Sequence, residues 1–358
     1  MLLTDVFSAE AVTIRQTSDP SNREAFLGTQ FFPVRRTMGV ELKWLKTHKG
    51  LGIALKPSAL DSMATIRTRG GFQAVTEQMP LFRESMQISE KDLAEIQRIQ
   101  QSNDPYLDEV LRHIYDDADE LIRGAQISAE RMRMALLAPQ GGTPIIKLGM
   151  VDNTQYNYNY DEDGTWKSTN YLELTTTDCW DAPTTATPLN DIQTGVDYLS
   201  SVGVVPTYIV MNSTTLNLLT QCEQVQKMFA ARQYGINTGY LDKNTVKSII
   251  AGATGLTVLE YNKQYKDYDG TSYKYYPDGY VSIVGSDVLG YTWAGVTPEE
   301  RTLLGDPKVD VSVMDNGIAI AVQTTYGPPV QHSTTASMIA LPSFEGMDSI
   351  YVIKVTDD

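Results

Sequence analysis

Apolar residues recur every three or four positions between residues 104 and 137, at Leu107, Val110, Leu111, Ile114, Ala118, Leu121, Ile122, Ala125, Ala129, Met132 and Leu136. This spacing predicts one amphipathic helix with a single buried stripe. Glu109, Arg112, Asp116, Asp117, Asp119, Glu120, Arg123, Glu130, Arg131 and Arg133 fall mostly off the stripe, which predicts a charged opposite face. Asn103 or Asp104 can cap the first turn with Pro105 just inside it, and Pro139 with Gly141 and Gly142 ends the run. At 1.5 Å per residue the helix would be about 50 Å long, more than a compact domain of ordinary size needs. Such a rod suits a protein that spans a thin, wide layer, or the core of a two-domain protein.

The other elements are shorter. Residues 1–34 read as an arm: Ser8 can cap a short helix through Gln16, a turn-rich run surrounds Pro20, and only Phe26, Leu27, Phe31 and Phe32 offer apolar mass to pack elsewhere. Residues 37–57 read as a β-hairpin, with Val40, Leu42 and Trp44 alternating on one strand and Leu51, Ile53 and Leu55 on the other. A lone two-stranded hairpin is marginal, so its apolar face needs cover from the body of the protein or a neighbour. An extended run leads to Ser89, which with Asp92, Leu93, Ile96 and Ile99 predicts a capped short helix.

Tyr156, Tyr158 and Tyr160 alternate towards a turn at Asp163-Gly164, with Trp166 starting the expected return strand. Residues 183–290 alternate helix and strand, with helices at 190–200, 213–229 and 243–251, and strands at 207–211, 257–261 and 280–285. A Tyr-rich hairpin turns at Asp269-Gly270. This region is a mixed α/β domain. Residues 309–355 are mostly strand.

The formal net charge is -15, which disfavours a surface that binds nucleic acid by neutralising phosphates. The charge is unevenly placed. Residues 35–69 hold eight basic residues (Arg35, Arg36, Lys43, Lys46, Lys49, Lys56, Arg67, Arg69) against Glu41 and Asp61, so this segment carries +6 and the remainder -21. The two parts are electrostatic complements, although lysines on exposed strands also serve simply to discourage edge pairing. With Trp44, these eight residues are the candidate contacts between subunits.

Other chemistry is sparse. Cys179 and Cys222 have no metal-ligand spacing and read as buried or idle thiols. His48, His113 and His332 are scattered, and no phosphate-binding loop or dinucleotide fingerprint is present. Asn159, Asp161, Asp163 and Gly164 match the first half of a calcium loop, but Asn170 stands where the bidentate Glu belongs, so a hairpin turn is the expectation. The acid pairs Glu299-Glu300 and Asp116-Asp117 read as solvated faces. Helix capping explains the Asn212-Ser213-Thr214 sequon better than glycosylation does. No catalytic residue, cofactor or metal is expected. No apolar run reaches about 18 residues, so a protein made in the cytoplasm, with no membrane association, is the expectation.

The order of arm, basic hairpin, long helix, α/β domain and final strands resembles the major capsid protein of a tailed bacteriophage. It is most similar to the lambda-type major capsid protein E family, which has the Hong Kong 97-type fold. Phe31-Phe32-Pro33 resembles the family's approach to its extended loop, and Arg67-Thr68-Arg69-Gly70-Gly71 its Arg/Gly turn after that loop. Pro277-Asp278-Gly279-Tyr280-Val281 with Gly285 resembles its proline, aspartate and strand element. Gly327-Pro328-Pro329 through Ala340-Leu341-Pro342 to Val352-Ile353 resembles its C-terminal strands.

The resemblance implies an α+β capsid fold with an N-terminal arm (1–34), an extended β-hairpin loop (35–90) and a spine-helix peripheral domain (91–180). An axial α/β domain (181–300) and C-terminal strands returning to both domains (301–358) follow. It further implies a non-enzymatic shell subunit of the virion that forms hexamers and pentamers, with the hairpin reaching across a neighbour. Its partners would be copies of itself, portal, scaffolding and decoration proteins, and packaged double-stranded DNA bound without sequence specificity. An acidic balance suits that cargo, since a strongly basic inner wall would bind DNA rather than let it move. A nanocompartment shell of the same fold, or an acidic carbohydrate-binding protein or enzyme using the Tyr-rich loops, are the alternatives.

Overall fold

The structure, a computed structural model, describes residues 8–18, 26–46, 73–88, 90–91, 98, 106–149, 155–232, 241–267, 270–285, 288–303, 309–325 and 331–357. The chain divides into two units, each woven from separate stretches. The first holds residues 1–42, 76–133 and 291–343, and the second holds 43–75, 134–290 and 344–358.

The first unit is built on a six-stranded sheet whose centre is Gln331–Pro342. This strand is rich in small, β-branched and apolar residues, which suit close packing on a pleated surface. Its earlier part pairs antiparallel with Ala319–Thr325, its last residues with Thr292–Gly295, and much of its length with Leu81–Ile88. Val34–Arg36 adds in parallel to Thr292–Gly295, and Val309–Val313 pairs with Ala319–Thr325. The turn between these last two is Asp315-Asn316-Gly317, where Gly317 at φ 85° adopts a conformation that side chains resist.

The arm finds its packing within this unit. Helix Ala9–Ser18 buries Ala9 and Val12, and the Ala9 N–H donates to Asp310 Oδ2 at 2.5 Å. Phe31 and Phe32 are fully covered.

The long helix is Tyr106–Leu137, 32 residues, close to the predicted span. Ala118, Leu121, Ile122, Ala129 and Met132 form its buried stripe. The first unit holds it as far as Arg133, and the second begins at Met134. Its predicted cap at Asn103 or Asp104 lies outside the described residues, as does the strand 51–55; of the short helix predicted after Ser89, residues 90, 91 and 98 are described and are helical. Among the described residues, Glu41–Lys46 pairs with Gln73–Gln78.

In the second unit, a mixed five-stranded sheet runs in the order Tyr171–Glu173, Ile350–Lys354, Tyr280–Val284, Tyr208–Met211, Thr257–Glu260. Helices Pro188–Ser201, Ser213–Gln221, Glu223–Arg232 and Lys243–Thr254 contribute Ile192, Leu199, Leu216, Val225, Val246 and Ile250 to a core shared with Ile209, Val281, Ile283 and Ile353. Gly195 lets its helix lie close on the sheet, since a Cβ there would sit 2.6 Å from Ile283 Cδ1. Ser282, between Val281 and Ile283, donates to the carbonyl of Leu137 at 2.6 Å and so ties the last turn of the long helix to the sheet.

Two expectations fail locally. The predicted helix 213–229 is broken at Cys222, whose φ of -68° and ψ of 128° are extended. Trp166 does not start a strand: Thr165–Asn170 is a short helix, Gln155–Asn159 pairs back with Ile145–Gly149, and the next strand, Tyr171–Glu173, joins Ile350–Lys354 instead. Its indole N–H donates to the carbonyl of Met347 at 2.8 Å, and this buried anchor outweighs the local alternation.

Candidate assembly surface

Arg35 and Arg36 sit on the edge strand Val34–Arg36, and both are engaged within the first unit. The Arg35 guanidinium carbon lies 3.4 Å from the centroid of the Tyr291 ring, a cation–π contact. Arg36 Nη2 donates to both oxygens of Glu300, at 2.7 and 2.6 Å. Arg36 and Glu300 are partly exposed, so the pair is worth only about 0 to 1 kcal/mol. Next along the chain, Met38 and Val40 are exposed apolar residues, and Met38 is 85% exposed.

Lys43 is exposed on strand Glu41–Lys46. Trp44, expected beside it at a subunit contact, is instead 5% exposed and packs on Tyr160 with ring centroids 5.5 Å apart. Its indole is covered by its own chain. Lys46 ends that strand, and its side chain lies outside the described residues together with Lys49, Lys56, Arg67 and Arg69. The structure thus brings Arg35 and Arg36 onto one edge strand and Lys43 onto strand Glu41–Lys46, while the side chains of the other five basic residues lie outside the described residues.

Charged residues on the long helix behave differently from the expected solvated face. Glu130 is fully buried and Arg133 is 4% exposed. Glu130 Oε1 accepts the Gly28 N–H at 2.9 Å, and Oε2 accepts from Arg133 Nη1 at 3.3 Å. Arg133 Nε donates to Thr292 Oγ1 at 2.8 Å, and that hydroxyl donates to the carbonyl of Phe32 at 3.0 Å. The flanking apolar residues Ala129 and Met132, one position ahead of each charge, were the only sequence signal that this face turns inward. Glu299 also departs from the solvated reading: it is 7% exposed and accepts from Ser337 Oγ at 2.7 Å and Arg83 Nε at 2.6 Å.

The half calcium loop is a helix cap. Asp161, 4% exposed, accepts the Trp166 N–H on Oδ1 and the Lys167 N–H on Oδ2, each at 2.9 Å. Asn159 accepts from the Asp161 N–H and Asp163 from the Thr165 N–H, so these oxygens serve local backbone. Among the described residues, no group of three or more His, Cys, Asp or Glu could hold a metal ion. Replacing Asp161 with Ala should cost about 1 to 2 kcal/mol, read as a lower Tm, while millimolar calcium should leave the Tm of the unchanged protein where it is. A calcium-dependent rise in Tm would restore the metal reading.

Of the remaining candidates, Asn212, Cys179, Cys222 and His332 lie within the described residues. Asn212 caps Ser213–Gln221 by accepting the Thr215 N–H at 2.9 Å and donates to Asp278 Oδ1 at 2.6 Å. Cys179 and Cys222 are buried free thiols, and burial pushes Cys222 up to about 11, away from thiolate chemistry. His332 lies on the central strand Gln331–Pro342, where burial lowers its pKa. His48 lies outside the described residues, as does the side chain of His113. Among the described residues, no helix is long and apolar enough to cross a membrane.

The sequence profile described as phage major capsid protein E matches residues 9–324. The chain belongs to that family. It is therefore a capsid protein, a structural component of a virion. Among solved structures, the chain is similar to the putative capsid protein of a prophage of E. coli CFT073, at 12% identity and a TM-score of 0.59. That likeness covers 98% of this chain and 99% of that one. It is also similar to a phage-related protein from Bordetella bronchiseptica RB50, at 11% identity and a TM-score of 0.56, over 97% and 96% of the two chains. A third likeness is to the Cyanophage A-1(L) capsid, at 11% identity and a TM-score of 0.50, over 100% and 96%. No curated protein matches. At such identities the likeness establishes the fold of this capsid protein, which is the Hong Kong 97 type.

Proposed function

We propose that this capsid protein is the repeating wall of an icosahedral phage head, arranged in hexamers and pentamers that close around double-stranded DNA in the host cytoplasm. The family match over residues 9–324 carries this reading. In it, residues 91–180 with the spine helix are the peripheral domain and residues 181–300 the axial domain, with residues 301–358 returning to both. Copies of the chain are the main partner, with portal, scaffolding and decoration proteins at the shell. DNA is enclosed without sequence-specific contact, in keeping with a formal net charge of -15. The subunit carries out no catalysis.

The contact between subunits is assigned to the basic segment 35–69, lying over an acidic surface of the adjacent copy. The attraction is assigned to the whole set Arg35, Arg36, Lys43, Lys46, Lys49, Lys56, Arg67 and Arg69, of which Arg35 and Arg36 are also held by Tyr291 and Glu300 of their own chain. The buried indole of Trp44 is not part of it. Sedimentation of the purified protein over a range of concentration and salt should show large assemblies in equilibrium with smaller species. Single chains under every condition would contradict the reading, and particles filled with a protein cargo would move it to a nanocompartment shell.

A further inference from the structure

An ion pair in a dry interior is often no better for stability than an apolar pair of the same size, yet it tolerates fewer arrangements of its partners. In the first unit, Glu130 and Arg133 are buried against one short stretch of the arm. The carboxylate holds the Gly28 N–H, and the guanidinium reaches the Phe32 carbonyl through the Thr292 hydroxyl. Both ends of segment 28–32 are therefore tied to adjacent turns of the same helix. Gly28 is shaped to this pair: a Cβ there would lie 2.5 Å from Glu130 Oε2 and 2.8 Å from Arg133 Cδ. Directly after the clamp, the Thr292 N–H donates to the Pro33 carbonyl and Val34–Arg36 joins the sheet, so the clamp also sets where the extended loop begins.

We propose that Glu130 and Arg133 are positioning residues for assembly, a clamp on the long helix that fixes how the arm and the root of the extended loop leave the first unit. The proposal rests on the assembly reading above. Copies that fit together in a closed shell must present arm and loop along one direction, and a single accepted arrangement supplies that. The pair contacts arm backbone that an apolar pair would leave unspecified.

Two variants approach the clamp from opposite sides: Glu130→Leu with Arg133→Met removes both charges, and Gly28→Ala intrudes on them from the arm. The unassembled variants should keep the circular dichroism of the unchanged protein, while the amide of residue 28 exchanges hydrogen about tenfold faster or more. Their particles should be mixed in size or incomplete. The single change Glu130→Gln, made in the otherwise unchanged chain, keeps an acceptor for the Gly28 N–H and should retain part of the protection that the double variant loses. Normal exchange at residue 28, or uniform particles from a folded variant, would overturn the proposal. If the double variant fails to fold, Gly28→Ala decides alone, with uniform particles counting against the clamp and mixed ones for it. Absence of particles from the unchanged protein would sink the assembly reading itself, which the exchange measurement on single chains keeps separate.

Discussion

Changing Lys43, Lys46, Lys49 and Lys56 together to Glu should leave the chain folded and abolish its assembly. The four changes shift segment 35–69 from +6 to -2 and set like charges along an edge that the proposal places against an acidic neighbour. Leu42 and Trp44, which strand Glu41–Lys46 buries in its own chain, are untouched, so circular dichroism should not change. A single Lys→Ala change should do little, because one exposed pair gives only about 0 to 1 kcal/mol. The attraction should also fade as ionic strength rises past roughly 0.1 M, where the Debye length shrinks to about 10 Å. An unfolded quadruple variant would mean that the segment packs within its own subunit. Normal assembly at low salt would reduce the lysines to solvated edge protection.

Arg133→Met alone should destabilise the first unit by about 3 to 5 kcal/mol, because it leaves the fully buried Glu130 carboxylate without its cation. For a unit of this size the loss corresponds to a fall in Tm of roughly 10 °C. Adding Glu130→Leu should recover most of it, since both charges are then gone and the space is filled by apolar atoms. The difference between the double variant and the sum of the single ones measures the coupling directly. A loss below about 1 kcal/mol for Arg133→Met would show that the carboxylate finds water or another partner at little cost.

The long helix was legible because its stripe repeats over some eight turns, more than any turn signal can interrupt. Glu130 and Arg133 were not, since charges three residues apart read the same whether they face solvent or a glycine of the arm; Gly28 is what makes room for them. The α/β alternation of residues 183–290 was read correctly in kind, while the break at Cys222 depends on tertiary packing that periodicity does not carry. Trp166 failed for a related reason: six residues are too few to show a helical period, and the tyrosine alternation before them continues by eye. Strand partners were the least legible feature. Alternation marks a strand and its faces but not its neighbour, so Glu41–Lys46 could be recognised while Gln73–Gln78 could not be chosen. For the assembly surface, the charge asymmetry was plain in the sequence, but the hold on Arg35 and Arg36 within their own chain is a matter of distances to Tyr291 and Glu300.

Shell building by this chain is directly visible. An electron micrograph of the purified protein should show closed shells of one diameter, or rings of five and six subunits at low concentration. A field holding only single chains at every protein and salt concentration would contradict it.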